Sequence, residues 1–292
     1  MTKKRFIVTG ANSGLGKACA AQLAGMGHEV ILLCRSQERG QAALDEIQRQ
    51  CGSADLYLAL VDLASQASIR NFVNEFSEKY GALHGLLNCA GIRVLDRQTT
   101  VDGIELIFGS EYLGHFLLTN LLVPALKAGT PSCVVTISGE GHKAGVEGGV
   151  GATMNFDDLQ FARKWDVMRA SKQVVLAKIL LTYELARRLE GTGVTAHTVS
   201  PRFTRTNLSS HYPWYVRWIA AFRMWQAKAV DPATGAKDVL YPLFAEGMAG
   251  QTGKYFVEGH EAQSSPESYD RETARRLWEE SEALVGEKFL PA

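Results

Sequence analysis

Thr9-Gly10-Ala11-Asn12-Ser13-Gly14-Leu15-Gly16 is the stretch that decides the fold. It follows a short apolar run, Arg5–Thr9, and opens into a helical pattern over Gly16–Met26. A strand, a glycine-rich turn and a helix in that order make a backbone cradle. Glycine permits the tight turn, lets main chain approach a pyrophosphate and brings helix close to strand, and the helix N-terminus offers unpaired N–H groups to phosphate. Working outward, strands are expected at Glu29–Cys34, Leu56–Leu60, Gly85–Asn88, Cys133–Ser138, Val194–Val199 and Lys254–Phe256. Helices are expected at Gln37–Gln50, Ala67–Lys79 and Met168–Leu189, with a helical pair around Gly103–Leu126. Strand–helix alternation with short connections predicts an α/β fold, a Rossmann-type doubly wound parallel sheet of about seven strands.

Nothing in the chain divides it: no repeat, low-complexity tract or linker breaks residues 1–292 into separate domains. One compositional change stands out, Ser209–Val230, which is rich in Trp, Tyr and Phe and reads as an apolar helical lid inserted over 209–230. Trp214, Trp218, Phe222 and Trp225, with Tyr212 and Tyr215, predict a pocket for a bulky apolar small molecule. Lys plus Arg (31) balances Asp plus Glu (31), so no bulk field favours nucleic acid. Five scattered cysteines without a C-x-x-C pair argue for reduced thiols in a cytoplasmic protein and against a zinc site. Tyr112–Leu126, the most apolar helix candidate, is too short and polar for a membrane span.

At the glycine turn, Gly10, Asn12, Ser13, Gly14, Leu15 and Gly16 are the expected phosphate-side contacts. Arg35 stands at the end of the second strand, where an acidic residue would accept from a ribose 2′-hydroxyl. A guanidinium there, with Arg39 one turn on, suits a 2′-phosphate and points to NADP(H). Asp62 and Leu63, after the third strand, are placed at the adenine edge.

These pieces, with Asn88-Cys89-Ala90-Gly91 and Leu113-Gly114-His115-Phe116-Leu117-Leu118-Thr119, resemble the short-chain dehydrogenase/reductase family, and within it the retinol dehydrogenase-like branch. The resemblance runs nearly the whole chain, through Glu184-Leu185-Ala186-Arg187-Arg188-Leu189 to Ala274-Arg275-Arg276-Leu277-Trp278-Glu279. It implies nicotinamide binding that also uses Asn88, Ala90, Gly91, Lys172, Pro201 and Thr206, and pairing of copies through long helices into a homo-oligomer. It further implies a Tyr that passes a proton, a Lys four residues later, a Ser that orients a carbonyl and an Asn that holds a water relay.

The last set is where this chain departs. Lys172 fits the family's Lys, but Met168 stands four residues before it, and a thioether has no proton to give. Gly139 aligns with the catalytic Ser, leaving only Ser138; Glu111 aligns with the Asn; and Pro201-Arg202 replaces Pro-Gly. No Tyr occurs between Phe116 and Lys172. Candidate replacements are His142, Glu140 and Glu111 beside Lys172 and Ser138, with Gly139, Met168, Arg202, Tyr212, Trp214 and Trp218 lining the substrate pocket. Alternatives stay open for single residues: His142 as an acid–base group or a solvated loop residue; Glu111 as a carboxylate near the nicotinamide or an ion-pair partner of Lys172 or Arg202; and Tyr212 and Tyr215 as phenols reaching down from the lid or as packing residues. Three functions also stay open: an enzyme with non-standard chemistry, including cyclisation or isomerisation; a carbonyl or imine reductase with a relocated proton donor; and a non-catalytic NADP(H)-responsive protein.

Overall fold

The computed structural model describes residues 3–52, 55–145, 150–204 and 229–290. In chain order its strands are β1 (Arg5–Thr9), β2 (Glu29–Cys34), β3 (Leu56–Leu60), β4 (Gly85–Asn88), β5 (Ser132–Ile137), β6 (Val194–Ser200), β7 (Lys254–Val257) and β8 (His260–Ala262). They form one sheet in the order β3-β2-β1-β4-β5-β6-β7-β8, parallel except for the last pairing. The parallel part of the sheet has the expected seven strands, and β8 adds an antiparallel edge. Glu258 (φ 52) and Gly259 (φ 79) make a two-residue turn with both φ angles positive, which folds the chain back on β7 as a hairpin.

The helices are α1 (Gly14–Gly25), α2 (Gln37–Cys51), α3 (Gln66–Lys79), α4 (Gly114–Leu121), α5 (Val123–Ala128), α6 (Val167–Arg188), α7 (Pro232–Phe244) and α8 (Arg271–Val285). Inner strands such as β1 and β4 are buried on both faces, so their sequences are continuously apolar rather than alternating. Alternation then sorts the core into two layers. Ile7, Ile31 and Leu86 point to the α3, α4, α6 and α8 side, while Phe6, Val8, Val30 and Leu87 point to the α1, α2 and α7 side. All of the cysteines pack in or against the second layer as free thiols. The expected helical pair around Gly103–Leu126 begins later, with a π-helical turn at Phe108–Leu113 that runs into α4, and breaks at Leu122 ahead of Pro124.

The strand order reverses between β1 and β4, so a crevice opens beyond their carboxyl ends. The lid expected over 209–230, with Tyr212, Trp214 and Trp218, lies outside the described residues except for its last two, as does Thr206. Thr204 and Val230, which bracket that segment, meet in a parallel bridge.

Candidate active site

The glycine turn occupies the switch-point crevice. Gly10 (φ +64) and Gly14 (φ +55) take the left-handed backbone that side chains disfavour. A Cβ on Gly10 would lie 2.9 Å from the Ala90 Cα, and one on Gly16 would lie 2.6 Å from the Gly10 carbonyl oxygen. Thr9 ties the two strand ends together, its hydroxyl accepting from the Cys89 and Ala90 N–H groups at 2.9 Å each. The helix N-termini are telling. Ser36, Ser65, Asp166, Asp231 and Asp270 each cap their helix with a side-chain oxygen, whereas Ser13 makes no side-chain cap on α1. The first N–H groups of α1 are thus left for an anion, with no acidic residue in the first turn to oppose it. A pyrophosphate fits this cradle.

Around it, Arg35 is exposed just beyond β2, and Arg39 is exposed in the first turn of α2. Asp62 forms an Asx turn, accepting from the Ala64 N–H at 2.9 Å. Leu63 abuts α4 where Gly114 leaves room: a Cβ there would sit 2.4 Å from the Leu63 carbonyl oxygen. Asn88 donates to the Thr119 and Thr136 hydroxyls at 3.1 and 3.3 Å, and its own buried carbonyl oxygen has no partner among the described residues.

Glu111 sits in the π-helical turn, a distortion common at functional sites. Of the ion-pair partners expected for it, Arg202 is corrected. Its carboxylate receives Lys178 Nζ at 2.6 Å on one oxygen, and the Ile92 N–H at 2.8 Å and Arg93 at 3.2 Å on the other. Arg202 is instead tied to Asp238 at 3.2 Å and to the Glu258 carbonyl. Burial pushes the Glu111 carboxyl up, but the Lys178 and Arg93 charges outweigh it and leave the group below its ordinary value. His115 links this cluster to the turn, one ring nitrogen 2.9 Å from the Glu111 carbonyl and the other 3.0 Å from the Thr9 hydroxyl. Burial, reinforced by the Lys178 charge, holds its pKa down to about 4, so the ring is neutral.

Beyond β5, Ser138 donates to the Val175 carbonyl at 2.9 Å, which ties its hydroxyl to α6. The helix turn against the end of β5 is therefore that of Val175, with Ser171 one turn earlier on the same face. Met168 lies at the helix start, 46% exposed, its N–H held by the Asp166 cap. Lys172 is half-buried in the following turn. A Cβ on Gly139 would meet nothing within 4 Å. His142 is not the solvated residue considered above. It is wholly buried, edge-on to Tyr255, with Nδ1 2.7 Å from the Gly139 carbonyl. Since a carbonyl only accepts, Nδ1 carries the proton, and the bare Nε2 has no partner among the described residues. Burial lowers its pKa. Glu140 pairs with Lys143 at 2.7 Å. Sequence reasoning passed over Lys178. Its signal was a lone charge in Val174–Thr182, an otherwise apolar helical run that demands a buried counter-charge.

A family model described as short chain dehydrogenase matches residues 4–152. Retinol dehydrogenase 14 of Homo sapiens is 38% identical over 301 residues, covering 98% of this chain and 87% of the relative. The chain is a short-chain dehydrogenase/reductase. Retinol dehydrogenase 13 of Homo sapiens is similarly related, 39% identical over 97% of this chain and 85% of its own. Among solved structures, an uncharacterized protein from Mycobacterium paratuberculosis superposes with a TM-score of 0.76 at 29% identity, over 100% of this chain and 96% of the other. A short chain dehydrogenase from Burkholderia cenocepacia J2315, solved in complex with NADP, has the same fold, with a TM-score of 0.67 at 24% identity over 88% and 97%. As in that family, the sheet carries its nucleotide cradle at the β1–β4 switch point. Among the described residues no helix is long and apolar enough to cross a membrane, and no group of three or more His, Cys, Asp or Glu side chains could hold a metal ion.

Proposed function

We propose that this short-chain dehydrogenase/reductase binds NADP(H) and acts as an oxidoreductase on a bulky apolar small molecule without tyrosine-based proton transfer. One observation carries the reading: an open dinucleotide cradle faces a β5–α6 junction that holds Gly139, Ser171, Lys172 and Val175 with no tyrosine on α6 ahead of Lys172, while Tyr255, whose hydroxyl reaches the Gly139 carbonyl at 3.4 Å from β7, is buried and its pKa pushed up. When bound, the nicotinamide supplies or accepts hydride. The protein's part is to hold it: Gly10, Gly14 and Gly16 admit the pyrophosphate, Arg35 meets a 2′-phosphate, and Asn88, Ala90 and Gly91 floor the site, with Lys172 beside the nicotinamide end. The kinship with retinol dehydrogenases and the aromatic sequence of 209–230 support an apolar, isoprenoid-like or polycyclic substrate. A substrate such as an iminium, which needs no proton after hydride arrives, suits a site without a Tyr. Five free thiols suit a reducing, cytoplasmic setting.

A second reading rests on Gly139 and Met168. With both proton-handling positions vacated, bound NADP(H) shapes a pocket for cyclisation or isomerisation and undergoes no net redox change. Incubating the protein with NADPH and a panel of apolar aldehydes, ketones, imines and polycyclic precursors separates the two. The first reading expects cofactor oxidation together with a gain of two hydrogens in the product. Product of unchanged mass with NADPH conserved overturns it in favour of the second. No turnover with NADPH bound overturns both and leaves a cofactor-responsive binding protein.

A further inference from the structure

We propose that His115 is a positioning residue for the dinucleotide: by taking the Thr9 proton it locks the 89–92 loop that walls the cradle. The loop is held by three of its own N–H groups. Cys89 and Ala90 donate to the Thr9 hydroxyl oxygen at 2.9 Å each, and Ile92 donates to the Glu111 carboxylate at 2.8 Å. His115 joins the two grips, with Nδ1 2.9 Å from the Glu111 carbonyl and Nε2 3.0 Å from the Thr9 hydroxyl. Thr9, Glu111 and His115 are all buried, so bulk water does not compete for these bonds.

Proton counting fixes the direction of each bond. A carbonyl only accepts, so His115 Nδ1 carries the ring proton. In the neutral ring Nε2 is then bare, and it accepts from the Thr9 O–H. Both lone pairs of the Thr9 oxygen remain, and the Cys89 and Ala90 N–H groups use them. The hydroxyl is saturated. A donor at Nε2 would end this arrangement. The Thr9 proton would turn to the Leu87 carbonyl, 3.4 Å away, and three donors would share two lone pairs. One loop N–H would then lose its acceptor in a buried site, where an unpaired group is costly. Burial, reinforced by the Lys178 charge, keeps the second proton off the ring by holding its pKa down to about 4.

The consequence for binding rests on the NADP(H) reading above. Ala90 stands against the glycine turn, so near that a Cβ on Gly10 would be 2.9 Å from its Cα. The position of the 89–92 loop therefore sets the width of the cradle. Gly91 carries the wall on towards Glu111, where a Cβ would lie 3.5 Å from the carboxylate. Without the ring acceptor the Cys89–Ala90 end loosens, while the Ile92 end stays held by Glu111. A loop already fixed in its binding position costs the ligand less ordering, so the loosened cradle binds more weakly.

The test uses the full chain, NADPH titration by fluorescence, and amide hydrogen exchange of the cofactor-free protein. His115→Phe keeps a ring and removes the acceptor. It should weaken NADPH at least about tenfold and speed exchange at Cys89 and Ala90 at least about tenfold, with the interiors of β1 and β4 still protected. His115→Gln puts an amide oxygen within reach of Thr9. It should recover affinity to within about threefold of wild type and restore protection of both amides. Packing alone ranks the two variants the other way, since Phe is nearer in shape to imidazole. If His115→Phe does not fold, His115→Asn replaces it in the same comparison, keeping the Glu111 bond but falling short of Thr9. Unchanged exchange at Cys89 and Ala90 in that variant, or His115→Gln no better than it, overturns the proposal. NADPH that binds the variant as tightly as wild type sinks this proposal alone. Wild-type protein with no NADPH affinity sinks the cofactor reading, and with it this use of the loop.

Discussion

Breaking the Glu111–Lys178 pair should cost this protein far more than deleting the pair altogether. The charges are 2.6 Å apart, and each side chain is only 7% exposed. At an effective dielectric of about 20 that separation is worth about 6 kcal/mol of attraction. Taking two ions out of water costs several kcal/mol each, so the intact pair is close to neutral against an uncharged replacement. Glu111→Gln leaves the Lys178 ammonium buried without its carboxylate and should destabilise by about 3–5 kcal/mol. Lys178→Met is milder, roughly 2–3 kcal/mol, because the carboxylate keeps the Ile92 N–H and the partly exposed Arg93. The double variant Glu111→Gln/Lys178→Met should return to within about 1.5 kcal/mol of wild type. Urea denaturation near neutral pH, with slopes checked for constancy, gives the four free energies and the coupling between the sites. The sign with pH is also fixed. The folded Glu111 pKa lies below its unfolded value. Its contribution is therefore present above about pH 4.3 and is lost as pH falls through the folded pKa. Between about pH 5 and pH 3 wild type should lose stability faster than Glu111→Gln. Additive single effects, or single variants each costing under about 1 kcal/mol, would refute the claim that these charges are desolvated and coupled.

Three further outcomes are expected. Gly16→Ala must displace the Gly10 carbonyl, which its Cβ would approach to 2.6 Å, so NADPH affinity by fluorescence titration should fall by at least about tenfold; unchanged affinity would remove the turn from the binding site. Arg35→Ala should weaken NADPH about 10- to 100-fold and leave NADH nearly untouched, because only the 2′-phosphate interaction is lost; equal losses would mean that Arg35 does not read the 2′ position. Asp270→Ala removes the side-chain oxygen that accepts from the Glu272 N–H at the start of α8 and should cost about 1 kcal/mol in denaturation, with NADPH affinity unaffected.

Much of this protein was legible in its sequence, because period and turn chemistry are local. Arg5–Thr9 reads as a buried strand from its apolar run alone, and Gly10, Gly14 and Gly16 announce their turn because few other residues tolerate that backbone. The eighth strand was missed although its signal, Glu258-Gly259 as a turn, is also local; three residues are too few to show a period.

The sequence by itself determined the α/β alternation, the cradle and the absence of a tyrosine before Lys172, since each depends on residues close together in the chain. Tertiary structure alone decided who meets whom. Glu111 finds Lys178 across 67 positions because the π-helical turn and α6 pack together. Ser138 is tied to Val175, His142 is packed on Tyr255, and α1, unlike the five capped helices named above, keeps its N-terminus open beside the glycine turn. Pairing of charges and burial of polar atoms are properties of the packed layers, where the low dielectric makes an unpaired group costly, and no local pattern records them.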